Sequence, residues 1–171
     1  AHRRRSFMIS SFGSAVVHKS PWDCRFVLYC TDNAKSCDNT YDTLDTWLAW
    51  SFTELGAGRF LEHSPWGEVM GLRKSKAGMP IADGWKGILF AHRGDEKALA
   101  KSFHVKTTWV SEEVCFTCRA SRRSDSELLY TGFGKNALHR TTMLSLYDFV
   151  TDRCNSNPWV RVPGFHPSMV T

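Results

Sequence analysis

Two short stretches of this sequence carry residue types whose spacing could do chemistry. In the first, Cys115-Phe116-Thr117-Cys118, two thiols are spaced so that both can bind one zinc ion from a tight turn. A closed tetrahedral site needs two more ligands, and His139, Cys154, His166 and His104 are the candidates. No second CxxC and no HxxxH completes the set, so a pair of thiols without a metal stays open as the alternative. A redox pair is disfavoured, because a redox CxxC opens a helix directly after a strand. Here the basic loop of Arg119, Arg122 and Arg123 follows instead. The second stretch is Gly94-Asp95. As a helix N-cap, Asp95 would stabilise its helix by roughly 1 kcal/mol. As a metal ligand, it would project from the carboxyl edge of a sheet, where open α/β folds place their sites. One carboxylate does not make a phosphoryl-transfer centre, which needs two or three acids around paired magnesium ions. The cap and the ligand are both open readings of Asp95.

The elements that must position these residues follow from periodicity. Ser6 to Lys19 is strand material, with Phe7, Ile9, Phe12, Val16 and Val17 and a bend at Gly13-Ser14. A turn at Pro21-Trp22-Asp23 leads to a second strand over Arg25 to Thr31, and a polar loop runs from Asp32 to Thr40. Asp42 is expected to cap a helix with Asp45 in its first turn. Leu44, Trp47, Leu48, Phe52 and Leu55 recur at helical spacing as a core stripe, and Gly56 and Gly58 close the helix. Residues 61–83 lose all pattern and are expected to be a long loop or insertion. Gly87 to Ala91 is an apolar run bounded by Gly, expected to be a buried strand. After Asp95 a helix should bury Ala98, Leu99 and Phe103 and turn Lys97 and Lys101 outward. Thr107 to Val110 could add a strand before the CxxC, within a CxxC region spanning 107–140. A last helix is expected over Thr141 to Arg153, lined by Met143, Leu146, Tyr147 and Val150, and Asn157-Pro158 to Pro167 is expected to be extended. The whole, 1–171, reads as one α/β domain.

Composition narrows the function classes. A length of 171 residues with 42% apolar and 23% charged residues is that of a globular domain with a real core. The apolar runs are short and broken by charge, which excludes a membrane-spanning helix, and no long apolar segment follows Arg3, Arg4 and Arg5 to make a signal peptide. Six cysteines do not suggest disulfides here, since the chain needs no staples and the cysteines fall in unequal groups. An intracellular protein is expected. Cys24 and Cys30 lie in or beside a strand, where buried thiols are common, and Cys37 lies in a polar loop. A net charge of +5 favours an anionic partner, nucleic acid being the commonest. The charge clusters at Arg3 to Arg5, at Arg73, Lys74 and Lys76, and at Arg119, Arg122 and Arg123, each of which could equally be a solvated loop. Because the chain starts at Ala1 and stops at Thr171 without an ending signal, it is expected to be a fragment of a longer protein.

The order of antiparallel strands, helix, strand ending in Gly94-Asp95, helix and then CxxC resembles the RNase H-like core of DDE transposases of the CACTA, Mirage and Chapaev type. The likeness covers Ser6 to Arg140 and consists of an order of elements plus two short motifs. It implies a mixed sheet flanked by helices, with a CxxC-containing insertion. It gives Asp95 the position of the second catalytic acid, and Cys115 and Cys118 that of the family's CxxC. Leu138-His139 takes the place of the Leu-His pair that follows, so that His139 would join the zinc ligands. By the same resemblance Arg119, Arg122 and Arg123 would contact DNA, the protein would be nuclear or otherwise intracellular, and self-association is possible. The first acid of the triad should sit on the first strand, yet Ser6 to Lys19 holds no Asp or Glu, and Asp23 and Asp32 lie beyond the strands. The final Glu has no match before Thr171. The expectation is therefore a DNA-binding domain incomplete for magnesium-dependent cleavage, with a non-enzymatic zinc-stabilised module binding nucleic acid or protein as the alternative.

Overall fold

A computed structural model of the chain describes residues 7–14, 25–94, 96–104, 111–153 and 157–170. The chain divides into two compact units, Ala1–Tyr41 and Asp42–Thr171. Helices and a small antiparallel sheet occur together, an α/β composition at the coarse level.

The first unit is built on a hairpin of β1 (Phe7–Gly13) and β2 (Arg25–Asp32), antiparallel from Phe7 opposite Asp32 to Gly13 opposite Arg25. Both strands are rich in the aromatic and branched residues that suit a pleated surface. The register slips between Ser10 and Ser11, so Leu28 has no residue opposite it, as in a β-bulge. Phe12 and Phe26 face each other across the ladder and stack at 5.2 Å. Two strands cannot bury both of their faces, and Phe7, Ile9, Phe26 and Val27 remain exposed. After β2, Asp32 folds the chain back, its carboxylate accepting from Ala34 N–H and its carbonyl from Lys35 N–H. The Tyr41 hydroxyl ties onto this turn through Asn33 and Ser36.

Helix α1 covers Asp38–Ala57 and so begins one turn before the expected cap at Asp42. The reason is local: Thr40 Oγ1 accepts from the Cys37 N–H at 3.1 Å while Thr40 N–H donates to Cys37 O at 3.0 Å, a reciprocal closure that starts the helix there. Asp42 and Asp45 therefore lie inside the helix. Its end agrees with expectation at Gly58, whose φ of 68° allows its N–H to reach Glu54 O.

In the second unit the core gathers Ala49 of α1, Leu89, Leu99, Phe103, Leu144, Phe149, Trp159, Val162, Phe165 and Val170, with Leu48 and Phe52 packed against it. Phe103, Phe149 and Phe165 pack as a triangle with ring centres 5.9 to 6.1 Å apart. Residues 61–83 are irregular, as expected, yet organised. They carry the short helix α2 (Gly71–Lys74) and are closed by bridges between Arg59 and Pro80 and between His63 and Val69. Glu54, buried on α1, holds them by accepting from Leu61 N–H at 2.9 Å and from Arg73 Nη1 at 2.8 Å.

Several expected elements are corrected. Gly87 to Ala91 forms no strand, because the described residues offer it no ladder partner; His92, just beyond it, bridges to Val170. Its Leu89 is buried at 9% exposure while Ile88 and Phe90 stand at 78% and 67%. Helix α3 (Glu96–Phe103) buries Leu99 and Phe103 and exposes Lys101, in line with its pattern. The expected last helix over Thr141 to Arg153 is broken. Met143 instead bridges to Cys118, and Ser145 restarts a one-turn helix, α4 (Leu146–Asp148), through a capping box with Asp148, followed by a wider turn over Phe149–Arg153. The buried face is Leu144 and Phe149, whereas Met143, Leu146 and Tyr147 are exposed. The segment expected to be extended after Asn157 winds into 3-10 turns at Pro158–Arg161 and Pro167–Met169, which carry Trp159 into the core. The strand expected over Thr107 to Val110 lies outside the described residues. No helix among the described residues is long and apolar enough to cross a membrane.

Candidate functional site

The CxxC sits at the tip of a tight reversal. Val114 N–H donates to Ala120 O at 3.0 Å and Arg122 N–H to Glu112 O at 2.7 Å, so the chain on either side of the four residues is paired. Within the tip, the Thr117 N–H points at Cys115 Sγ at 3.4 Å, and the Thr117 hydroxyl lies 3.5 Å from the same sulfur. Cys118 is buried and Cys115 half-buried. Burial alone would push the Cys115 thiol up. Hydrogen bonds from Thr117, from Cys118 and from the backbone amides of both residues outweigh it and hold the thiol below its ordinary value. Amides aimed at a sulfur favour the thiolate, the form that ligates metal.

The segment after Leu138-His139 is clasped to this tip. Leu144 N–H donates to Thr117 O at 2.9 Å, Cys118 bridges to Met143, and Arg119 N–H donates to Thr142 Oγ1 at 3.1 Å. The same Thr142 hydroxyl donates to His139 O at 2.7 Å, so the 3-10 turn Leu138–Thr141 is tied to the CxxC through one side chain. Among the described residues no three His, Cys, Asp or Glu side chains are grouped so as to hold a metal ion. Cys115 and Cys118 lie together at the tip, and His139 on the adjoining turn is not grouped with them as a third ligand. Of the other candidates, His104 is bonded to Asp42 at 2.6 Å, His166 to Ser168 at 2.9 Å, and Cys154 lies outside the described residues. None of the described cysteines, Cys30, Cys37, Cys115 and Cys118, forms a disulfide, and Cys30 is exposed on β2 rather than buried.

The basic loop leaving Cys118 is laced with carboxylates. Arg119 meets Asp152 at 2.8 Å and Glu113 at 3.9 Å; Arg123 meets Asp125 at 2.9 Å and Glu112 at 3.6 Å. Arg122 is exposed. Exposed pairs of this kind are worth ~0–1 kcal/mol. Asp95 lies outside the described residues, and α3 begins at Glu96 just beyond it.

Sequence reasoning missed a second polar group, set between α1 and α3. Asp45, 3% exposed, accepts from Ser102 Oγ at 2.7 Å, and Asn157 donates its amide to Ser102 O. Burial pushes the Asp45 carboxyl up to about 6 against the opposing Ser102 bond. His92, wedged edge-to-face between Phe103 and Trp159 with ring centres at 4.9 Å, is pushed by burial down to about 4. A signal for Asp45 existed: Tyr41, Asp45, Leu48 and Phe52 fall on one helical face, which places that carboxylate among apolar neighbours. Comparison with protein-family models, with curated proteins and with solved structures finds no match to this chain.

Proposed function

We propose that this chain is a DNA-binding domain derived from an RNase H-like, transposase-type core, with a structural zinc site at Cys115 and Cys118 and without strand cleavage of its own. The observation that carries this reading is the clasp between the CxxC tip and the segment following Leu138-His139. Two motifs some twenty residues apart in sequence are parts of one substructure, which supports reading them together. Zinc there would be held by Cys115 and Cys118; His139 is not grouped with them, so the remaining ligands would come from elsewhere, with Cys154 a candidate. Asp95 is the single catalytic carboxylate that the resemblance supplies, and one carboxylate does not hold the paired ions of a cutting site. Binding is what the chain's own residues can support. Phosphates would replace Asp152 at Arg119 and Asp125 at Arg123, with Arg122 beside them.

The second reading is a zinc-stabilised module for a protein partner, favoured by the carboxylates that already engage Arg119 and Arg123. Titration of a labelled DNA duplex separates the two. With three phosphates neutralised, affinity should fall ~40-fold between about 50 and about 200 mM salt, and Arg122→Ala should flatten the log-log slope by about one. Absence of duplex binding at the lower salt would contradict the DNA reading and leave the protein-binding module.

A further inference from the structure

Trp47 lies on α1 but does not join the core around Phe103. Its indole packs edge-to-face on Trp66, with centres 5.1 Å apart and planes at 78°, and on Trp50 at 5.5 Å and 88°. Trp47 and Trp66 are two walls of an open groove of about 440 Å³, which Glu68, Val69, Met70, Leu72 and Arg73 also line. The groove is built from the insertion that Glu54 and Arg73 hold against α1, and its outer residues face solvent, Trp66 at 53% and Leu72 at 94% exposure. An open apolar groove of this kind, walled by two indoles, can take an occupant.

Charge identifies it. Arg73, which lines the groove, has its charge balanced by Glu54, both of whose oxygens it bonds at 2.8 Å, and it stacks on Trp50 and Phe60; Lys76 lies over Phe60. Glu68 uses its backbone to close the turn with Ser64, and among the described residues no ion pair engages its exposed carboxylate. Two indole rings at nearly right angles, aliphatic walls and one carboxylate make a site whose field favours a cation and whose surface favours methyl groups. A primary ammonium holds its water too strongly for such walls, whereas a quaternary ammonium sheds it readily and is attracted by the ring faces. The groove is also open at its rim, so a side chain can enter while its backbone stays outside.

We propose that the Trp47–Trp66 groove binds a trimethylated lysine side chain presented by a peptide. This site shares no residue with the Cys115–Cys118 centre and stands or falls without it.

The test uses the full chain and three versions of one short peptide: trimethyl-lysine, unmodified lysine, and a neutral tert-butyl isostere of the trimethylammonium group, with tryptophan fluorescence as the readout. Trimethyl-lysine should bind about tenfold more tightly than either of the others, and Trp66→Ala and Glu68→Gln should each lose most of that preference. Both residues are exposed, and the thermal midpoint of each variant reports that it folds; Trp66→Phe, which keeps a ring, should retain part of the binding. Equal binding of the neutral isostere would reduce the site to an apolar groove and overturn the proposal. Equal binding of unmodified lysine would reduce it to a surface ion pair, with the same consequence. Tighter binding of free phosphocholine than of the trimethyl-lysine peptide would overturn the peptide as source.

Discussion

Asp45 and His92 are both buried in the second unit and both displaced from their ordinary titration, in opposite senses. The folded chain prefers Asp45 protonated up to about pH 6 and His92 neutral down to about pH 4. An Asp whose folded value is raised contributes stability that is fully present below its unfolded value of 3.8 and is lost as pH rises through about 6. A His whose folded value is lowered contributes stability that is present above 6.5 and is lost as pH falls through about 4. Between these limits the folded pair carries its proton on Asp45 and the unfolded pair carries it on His92, so the two slopes cancel. Asp45→Asn should expose the histidine, and stability should then fall on acidification from pH 6.5 to 4. His92→Phe should expose the carboxyl, and stability should then rise on acidification from pH 6 to 4. Each change is on the order of 2–3 kcal/mol, since one pKa unit corresponds to ~1.4 kcal/mol. Urea midpoints across this range measure it, and parallel curves for the parent and both variants would refute the assignment. The helical stripe that contains Asp45 was readable in the sequence. His92 was not, because nothing in a single histidine after an apolar run tells which of its neighbours will close over it.

At the scale of elements, local periodicity served well where one face of one element decides the outcome. The α3 pattern and the stop at Gly58 are of this kind, whereas of the α1 stripe only Leu48 and Phe52 pack on the core, Leu55 is exposed and Trp47 lies outside it. It failed at Gly87 to Ala91, where every residue is apolar or small and no alternation shows which side is covered. There the fold makes neighbours unequal. Leu89→Ala, in the core, should cost ~2–5 kcal/mol, whereas Ile88→Ala, facing solvent, should stay within ~0.5 kcal/mol. Equal losses in chemical denaturation would mean that a strand partner covers Ile88 as well. The broken C-terminal helix carried its own sign in Ser145-Leu146-Tyr147-Asp148, a capping-box sequence that starts a helix and so argues against one already running from Thr141.

For the whole molecule, what could not be read locally is what brings distant segments together. Glu54 and Arg73 fasten the insertion to α1. Trp159 and Phe165 reach the core from a segment whose prolines suggest an extended chain. Thr142 joins His139 to Arg119 beside the CxxC. Each depends on long-range closure, which pattern within a window does not encode. The last of the three was anticipated only as an order of motifs, and it is the basis for proposing a zinc-stabilised DNA-binding domain. Zinc content of the purified chain, measured alongside thermal unfolding with and without chelator, tests that proposal most directly. It should find one zinc ion per chain, lost together with cooperative unfolding on chelation, and lost also in Cys115→Ser and Cys118→Ser. A metal-free chain that unfolds at the same temperature with chelator as without it would contradict the account.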